Sequence, residues 1–111
     1  MQTTGDEYQK EVDYLVRYAE MSPVYFTPVW DAAETIAGEG SSEAATQDAA
    51  LAIIADMLER GVKVGDMSPR DGEGVIPWPL SREESLRRIR EEMKRYDDPL
   101  EYVNICWFSI D

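Results

Sequence analysis

The chain has 111 residues, of which 43% are hydrophobic, and its 23 acidic and 11 basic residues give a net charge of −12. This length predicts one domain over residues 1–111, with enough apolar surface for a core that needs neither disulfides nor a metal. Such an acidic chain repels phosphate backbones and anionic membranes, which argues against direct nucleic-acid or membrane binding and predicts a basic partner.

Three helices are predicted in the first 60 residues. The first spans 6–21, where apolar residues recur at every third or fourth position. The second spans 28–37, with a proline in its first turn and a glycine directly after it. The third follows a cap at Ser41 or Ser42, runs through an alanine-rich stretch of high helix propensity and ends at Gly61.

A small sheet is predicted in the second half. Apolar and polar residues alternate over 62–64, as in a short strand, and a loop rich in glycine and proline follows over 65–79. Trp78, between two prolines, is expected to pin this loop to the core. The aromatic and β-branched run over 102–110 predicts a second strand, antiparallel to the first.

A fourth helix is predicted between the loop and the last strand. Ser81 and Glu84 have the spacing of a capping box, and the helix should span 82–96. The fold class is therefore predicted to be α+β, with about four helices and an antiparallel sheet of two or three short strands. The expected core includes Leu15, Ile54, Leu58, Leu86, Ile89, Met93, Ile105 and Trp107.

The composition also limits the chemistry. Histidine is absent and Cys106 is the one cysteine, so neither Ser-His-Asp or Cys-His catalysis nor a Cys-rich zinc site is available. The apolar neighbours of Cys106 predict a buried, unreactive thiol. The first seven residues lack the pattern of a signal peptide. We therefore expect a cytoplasmic protein that is not an enzyme and uses no metal or cofactor.

Paired carboxylates are the remaining route to catalysis. Asp97-Asp98 and Glu83-Glu84 are adjacent in sequence, so each pair points apart or ends a helix, which is not the arrangement of an acid/base pair. A chain of this size also encloses little room for a substrate cleft. A small hydrolase is thus the weakest of the functional alternatives.

The negative charge is concentrated in the first half. Residues 1–59 hold 12 acidic and two basic residues, a net of −10, whereas residues 60–111 hold 11 and nine, a net of −2. Lysine and arginine are absent from residues 18–59, although eight acidic residues lie there. Most surfaces mix both signs, because an uncompensated field opposes folding. The fourth helix mixes both signs, because its six basic residues alternate with glutamates at helical spacing.

The segment without basic residues is therefore the predicted contact surface for a basic partner. Aromatic side chains within it could anchor an interface while the carboxylates steer association, although they could equally belong to the core. The predicted partner-binding residues are Tyr25, Trp30, Asp31, Glu34, Glu39, Glu43 and Asp48.

The second half also resembles a known class of proteins. Residues 51–110 contain, in order, a helix ending at Arg60-Gly61, the strand VKVGD, the segment PWPLS, a charged helix and the ending ICWF. This order resembles that of small immunity proteins encoded beside bacterial polymorphic and contact-dependent growth inhibition toxins. These segments are structural and transfer no site residue.

The resemblance implies a small, cytoplasmic, non-catalytic protein, often acidic, that covers the active or substrate-binding surface of a toxin domain. Toxins that act on nucleic acid tend to have basic grooves, for which an acidic protein is a natural inhibitor. The implied function is that of an immunity protein that neutralises a cognate basic toxin domain, with a nuclease as the favoured toxin class. The alternative is an acidic adaptor or nucleic-acid mimic that occupies another basic protein.

Overall fold

The computed structural model describes residues 5–70 and 74–110, and within these residues it confirms the α+β class. The described elements, in chain order, are α1 (Gly5–Met21), α2 (Phe26–Ala37), α3 (Glu43–Glu59), β1 (Lys63–Met67), β2 (Val75–Pro77), α4 (Arg82–Arg95), a 3-10 helix (Pro99–Asn104) and β3 (Trp107–Ser109). The strands form one antiparallel sheet in the order β2-β1-β3.

The predicted pairing between the strand at 62–64 and the end of the chain is confirmed, with Val64 opposite Phe108. The prediction of a loop over 65–79 is wrong at both ends. β1 continues to Met67, and β2 pairs with it as an edge strand. Pairing with β1 outweighs the glycine- and proline-rich composition, because proline is tolerated on a sheet edge. Residues 71–73 of the predicted loop lie outside the described part of the chain.

The prediction of a single strand over 102–110 is also wrong, because the 3-10 helix occupies the start of that range. Asp98 caps this helix by accepting a hydrogen bond from the backbone N–H of Leu100, at 3.0 Å. The ring of Tyr102 turns into the core and packs edge-on against Phe26, at 5.7 Å between ring centroids. Capping and burial therefore outweigh the β propensity of the segment.

Helix α2 begins at Phe26, two residues before the predicted start at Pro28. Pro28 is its third residue, where no backbone N–H is needed for an intrahelical hydrogen bond. Just before the helix, Val24 and Phe108 exchange two backbone hydrogen bonds of 2.8 Å. The connection between α1 and α2 is thereby fixed to β3, which sets the position of Tyr25.

The core lies between the helices and one face of the sheet. Of the predicted core residues, Leu15, Ile54, Ile89, Met93 and Ile105 are buried, and Leu58 and Leu86 are partly buried against the core. The prediction is wrong for Trp107, which is only partly buried and lies against the ring of Tyr25, at 6.0 Å between centroids. Trp78 is buried as expected, and the guanidinium of Arg88 lies over its ring at 3.9 Å from the centroid.

The predicted capping box begins α4. The N–H of Glu84 donates to Oγ of Ser81 at 3.1 Å, and the N–H of Ser81 donates to Oε1 of Glu84 at 3.0 Å. We expect Ser81→Ala to lower the free energy of unfolding by about 1 kcal/mol, because one helix-terminal N–H loses its acceptor. Urea denaturation measures the loss. Ser81→Thr, which keeps a hydroxyl, is the control, and equal losses in both variants would contradict the expectation.

Candidate functional site

The five predicted carboxylates lie on α2, on α3 and in the turn between these helices. Asp31 and Glu34 are on α2, Glu39 is in the turn to α3, and Glu43 and Asp48 are on α3; all five are exposed. Helices α2 and α3 make the most extensive helix–helix contact in the described structure. The five carboxylates are therefore carried by two helices that pack directly against each other and by the turn that joins them.

Glu34 and Glu39 line a depression at the turn between α2 and α3. The turn contains Gly38 and Gly40, whose φ angles of 92° and 81° are in the left-handed region that glycine tolerates best. Ser42 then caps α3, with its Oγ accepting a hydrogen bond from the N–H of Ala45 at 3.1 Å. This geometry fixes the ends of both helices and the backbone that carries the two carboxylates.

Asp31 and Tyr25 line a second depression, the groove between α1 and α2, which has a volume of about 420 Å³. Thr35 borders both depressions. Four of the predicted residues, Tyr25, Asp31, Glu34 and Glu39, are therefore neighbours on one surface. We call the three carboxylates Asp31, Glu34 and Glu39 the acidic surface.

Trp30 and Glu43 lie around Tyr102 instead. The half-buried ring of Trp30 packs edge-on against Tyr102, at 5.0 Å between centroids. The hydroxyl of Tyr102 donates to Oε1 of Glu43 at 3.3 Å and accepts a hydrogen bond from Nε2 of Gln47 at 2.9 Å. Burial raises the pKa of Tyr102 above its usual value. Packing against the core thus explains the half-buried position of the Trp30 ring, and contact of Trp30 with a partner stays a prediction.

The acidic surface has no internal counter-charge. Among residues 5–70 and 74–110, no lysine or arginine nitrogen lies within 4.0 Å of the carboxylates of Asp31, Glu34, Glu39 or Asp48. In contrast, Arg60 pairs with Asp13, and on α4 Arg95 lies 3.4 Å from Glu92. The acidic surface thus lies in the part of the sequence without basic residues, whereas the glutamates of α4 stand among six basic residues of the same helix.

Helix α1 contributes residues to the groove that the sequence did not single out. Tyr14 and Tyr18 lie four positions apart, outside the buried stripe of the helix, and line the groove together with Glu11. The available signal was the position of two large aromatic side chains beside the apolar stripe rather than within it. These positions identify the two tyrosines as groove residues only once α2 is known to pack against α1.

Cys106 is 2% exposed. Burial raises the pKa of its thiol well above the usual range, with a further contribution from the charge of Asp66. Since the thiolate is the reactive form, we expect maleimide to modify the native protein very slowly. A Ser22→Cys variant, with its added thiol at an exposed position, is the control and should gain one adduct rapidly by mass spectrometry. Rapid modification of Cys106 in the folded wild type would contradict this expectation.

No group of three or more cysteine, aspartate or glutamate side chains in the described part of the chain is arranged to hold a metal ion. No described helix is long and apolar enough to cross a membrane. No protein-family profile, curated protein or solved structure matches the chain significantly. The basis for a functional assignment is therefore the charge and geometry of the acidic surface and of the groove beside it.

Proposed function

We propose that this chain is an immunity protein that binds and neutralises a cognate basic toxin domain, with a nuclease as the favoured class. In this proposal, the acidic surface covers the active or substrate-binding surface of the toxin. The observation that carries it is the placement of Asp31, Glu34 and Glu39 as exposed carboxylates on one surface without a basic neighbour among the described residues.

The electrostatic cost of this arrangement supports a role in binding. Like charges on one surface repel one another and oppose folding, whereas alternating signs avoid that cost. The chain alternates signs on α4 but not on α2 and α3. A basic partner removes the repulsion when it binds, and the long range of the field also speeds its approach.

The exposure of the carboxylates favours binding over catalysis. A carboxyl group is tuned for general acid–base work chiefly by burial or by a close charged neighbour. The three carboxylates of the acidic surface have neither in the described structure. Solvated charges of this kind are suited to steering and specificity in protein association.

The test is protection from the toxin itself. The expected toxin is the C-terminal domain of a large secreted protein encoded directly upstream of the gene for this chain. That domain would be expressed in a susceptible bacterium with and without this chain. We expect growth to be restored by the wild-type chain and the purified proteins to form a complex.

Continued growth arrest in the presence of the folded wild-type chain would contradict the proposal. Formation of a complex with a basic protein that is not toxic would instead favour the alternative, an acidic adaptor or nucleic-acid mimic. The two functions are thus separated by the toxicity of the protein that is bound.

A further inference from the structure

The groove between α1 and α2 combines aromatic rings with carboxylates from both of its walls. Helix α1 contributes Glu11, Tyr14 and Tyr18, and the opposite wall contributes Tyr25 and Asp31. Neither carboxylate has a lysine or arginine partner within 4.0 Å among the described residues. In the described structure, the groove therefore combines two unpaired carboxylates with aromatic surface.

The tyrosines of the groove are not held by polar contacts of the fold. Within the described part of the chain, the hydroxyl groups of Tyr14, Tyr18 and Tyr25 have no hydrogen-bond partner, whereas Tyr8 donates to Asp56 and Tyr102 donates to a carboxylate. The side chain of Tyr14 is 56% exposed. Aromatic surface left open in this way is often an interaction site.

Part of the aromatic surface of the groove is open to a ligand, because Tyr14 is exposed and Tyr18 is only partly buried. Tyr14 and Tyr18 meet edge to face, with centroids 6.2 Å apart and an interplanar angle of 79°. The negative face of an aromatic ring attracts a cation, and the attraction adds to that of a nearby carboxylate. Arg17 is not among the residues that line the groove, although it lines a separate depression together with the same two rings. A cation from a partner is thus the ligand that the groove complements.

We propose that this groove binds an arginine side chain of the partner. The planar guanidinium would stack on a tyrosine ring and donate hydrogen bonds to Glu11 and Asp31, a geometry that lysine does not match because its ammonium is a compact point charge. The chain contains the same kind of contact within itself, where Arg88 covers the ring of Trp78. The inference rests on the proposed docking of a basic protein, and it extends the contact surface from α2 onto α1.

The test uses a defined probe, the capped peptide acetyl-Gly-Arg-Gly-amide, added to the full-length protein labelled with ¹⁵N and ¹³C. In two matched peptides, the central arginine is replaced by lysine or by citrulline, the neutral analogue of arginine. We expect the arginine peptide to shift the ring resonances of Tyr14 and Tyr18 and the backbone resonances near Asp31. The lysine peptide should bind more weakly, and the citrulline peptide should cause no shift.

Variants locate the contact. Tyr14→Ala and Asp31→Asn should each weaken binding of the arginine peptide by about three- to tenfold, the range expected for loss of a cation–π contact or a charged hydrogen bond. Leu100→Ala and Glu83→Gln remove an exposed apolar side chain and an exposed carboxylate outside the groove, and should leave binding unchanged. Tyr14→Phe, which keeps the ring, should bind nearly as well as the wild type.

Failure of this inference can be told apart from failure of the proposed function. If the arginine peptide shifts resonances at Glu34 and Glu39 but not those of the groove tyrosines, the groove is not the arginine site, although docking of a basic partner to the acidic surface still stands. If the shifts are absent, or spread equally over the acidic residues of α4, the groove is not an arginine site, whereas the proposed function is decided separately by protection from the toxin. Equal binding of the lysine and arginine peptides would overturn the choice of arginine.

Discussion

The substitution Gly65→Ala is expected to destabilise the protein strongly. A Cβ atom at this position would lie 1.9 Å from the carbonyl oxygen of Ile76 and 2.7 Å from Cα of Pro77. Both are backbone atoms of β2, so a change of side-chain rotamer cannot relieve the overlap. The strands must separate instead.

Separation would be costly because Gly65 lies on the central strand of the sheet. It is opposite Pro77 on one side and Trp107 on the other. Movement of β2 also disturbs the hydrogen bond of 3.0 Å from the N–H of Trp78 to the carbonyl of Val64. We expect the free energy of unfolding to fall by about 3 kcal/mol, the upper part of the range for an overpacked core.

Guanidinium denaturation measures this loss, and Gly5→Ala is the matched control. A Cβ at Gly5, the first residue of α1, meets nothing within 4 Å, so that variant should be as stable as the wild type. Hydrogen exchange should show lost protection between β1 and β2 in Gly65→Ala. If the two variants were equally stable, β2 would not lie as close to Gly65 of β1 as described.

The second large effect is expected for charge reversal on the acidic surface. A triple variant, Asp31→Lys, Glu34→Lys and Glu39→Lys, should slow association with a basic toxin domain by about tenfold or more, because it replaces electrostatic steering by repulsion. The fold should be retained, since all three side chains are exposed. Its thermal stability should be unchanged or higher because self-repulsion is reduced.

The matched control reverses three exposed acids of the second half, Glu83→Lys, Glu91→Lys and Glu101→Lys. It makes the same change in net charge, so a general effect of charge would slow both variants equally. Surface plasmon resonance against the toxin domain gives both rates. A larger loss in the control would place the interface on α4 and the 3-10 helix instead of the acidic surface.

The helices were predictable because their signals are local. The capping box of Ser81 and Glu84 and the cap at Ser42 each involve residues three positions apart, which sequence spacing shows directly. The strand β2 was missed because its stability comes from pairing with β1, about ten residues earlier in the chain. The 3-10 helix was missed for a related reason, since burial of Tyr102 against distant rings decides its conformation.

The candidate site, like the fold, was predictable only where its features depend on the sequence alone. Charge is a property of the sequence, so the run without lysine or arginine is sufficient to identify the carboxylates of the acidic surface. The groove depends on how α1 packs against α2, which decides that Tyr14 is exposed and that Glu11 lies near Asp31. Sequence spacing within α1 does not contain that information.

Association kinetics across a salt series test the central claim most directly. The on-rate of the wild-type chain for its cognate toxin domain should fall steeply as salt rises, because the Debye length shrinks from about 30 Å at 0.01 M to about 8 Å at 0.15 M. The triple variant of the acidic surface should lose this dependence, while the control triple variant should keep most of it. An on-rate for the wild type that does not change with salt would contradict the account.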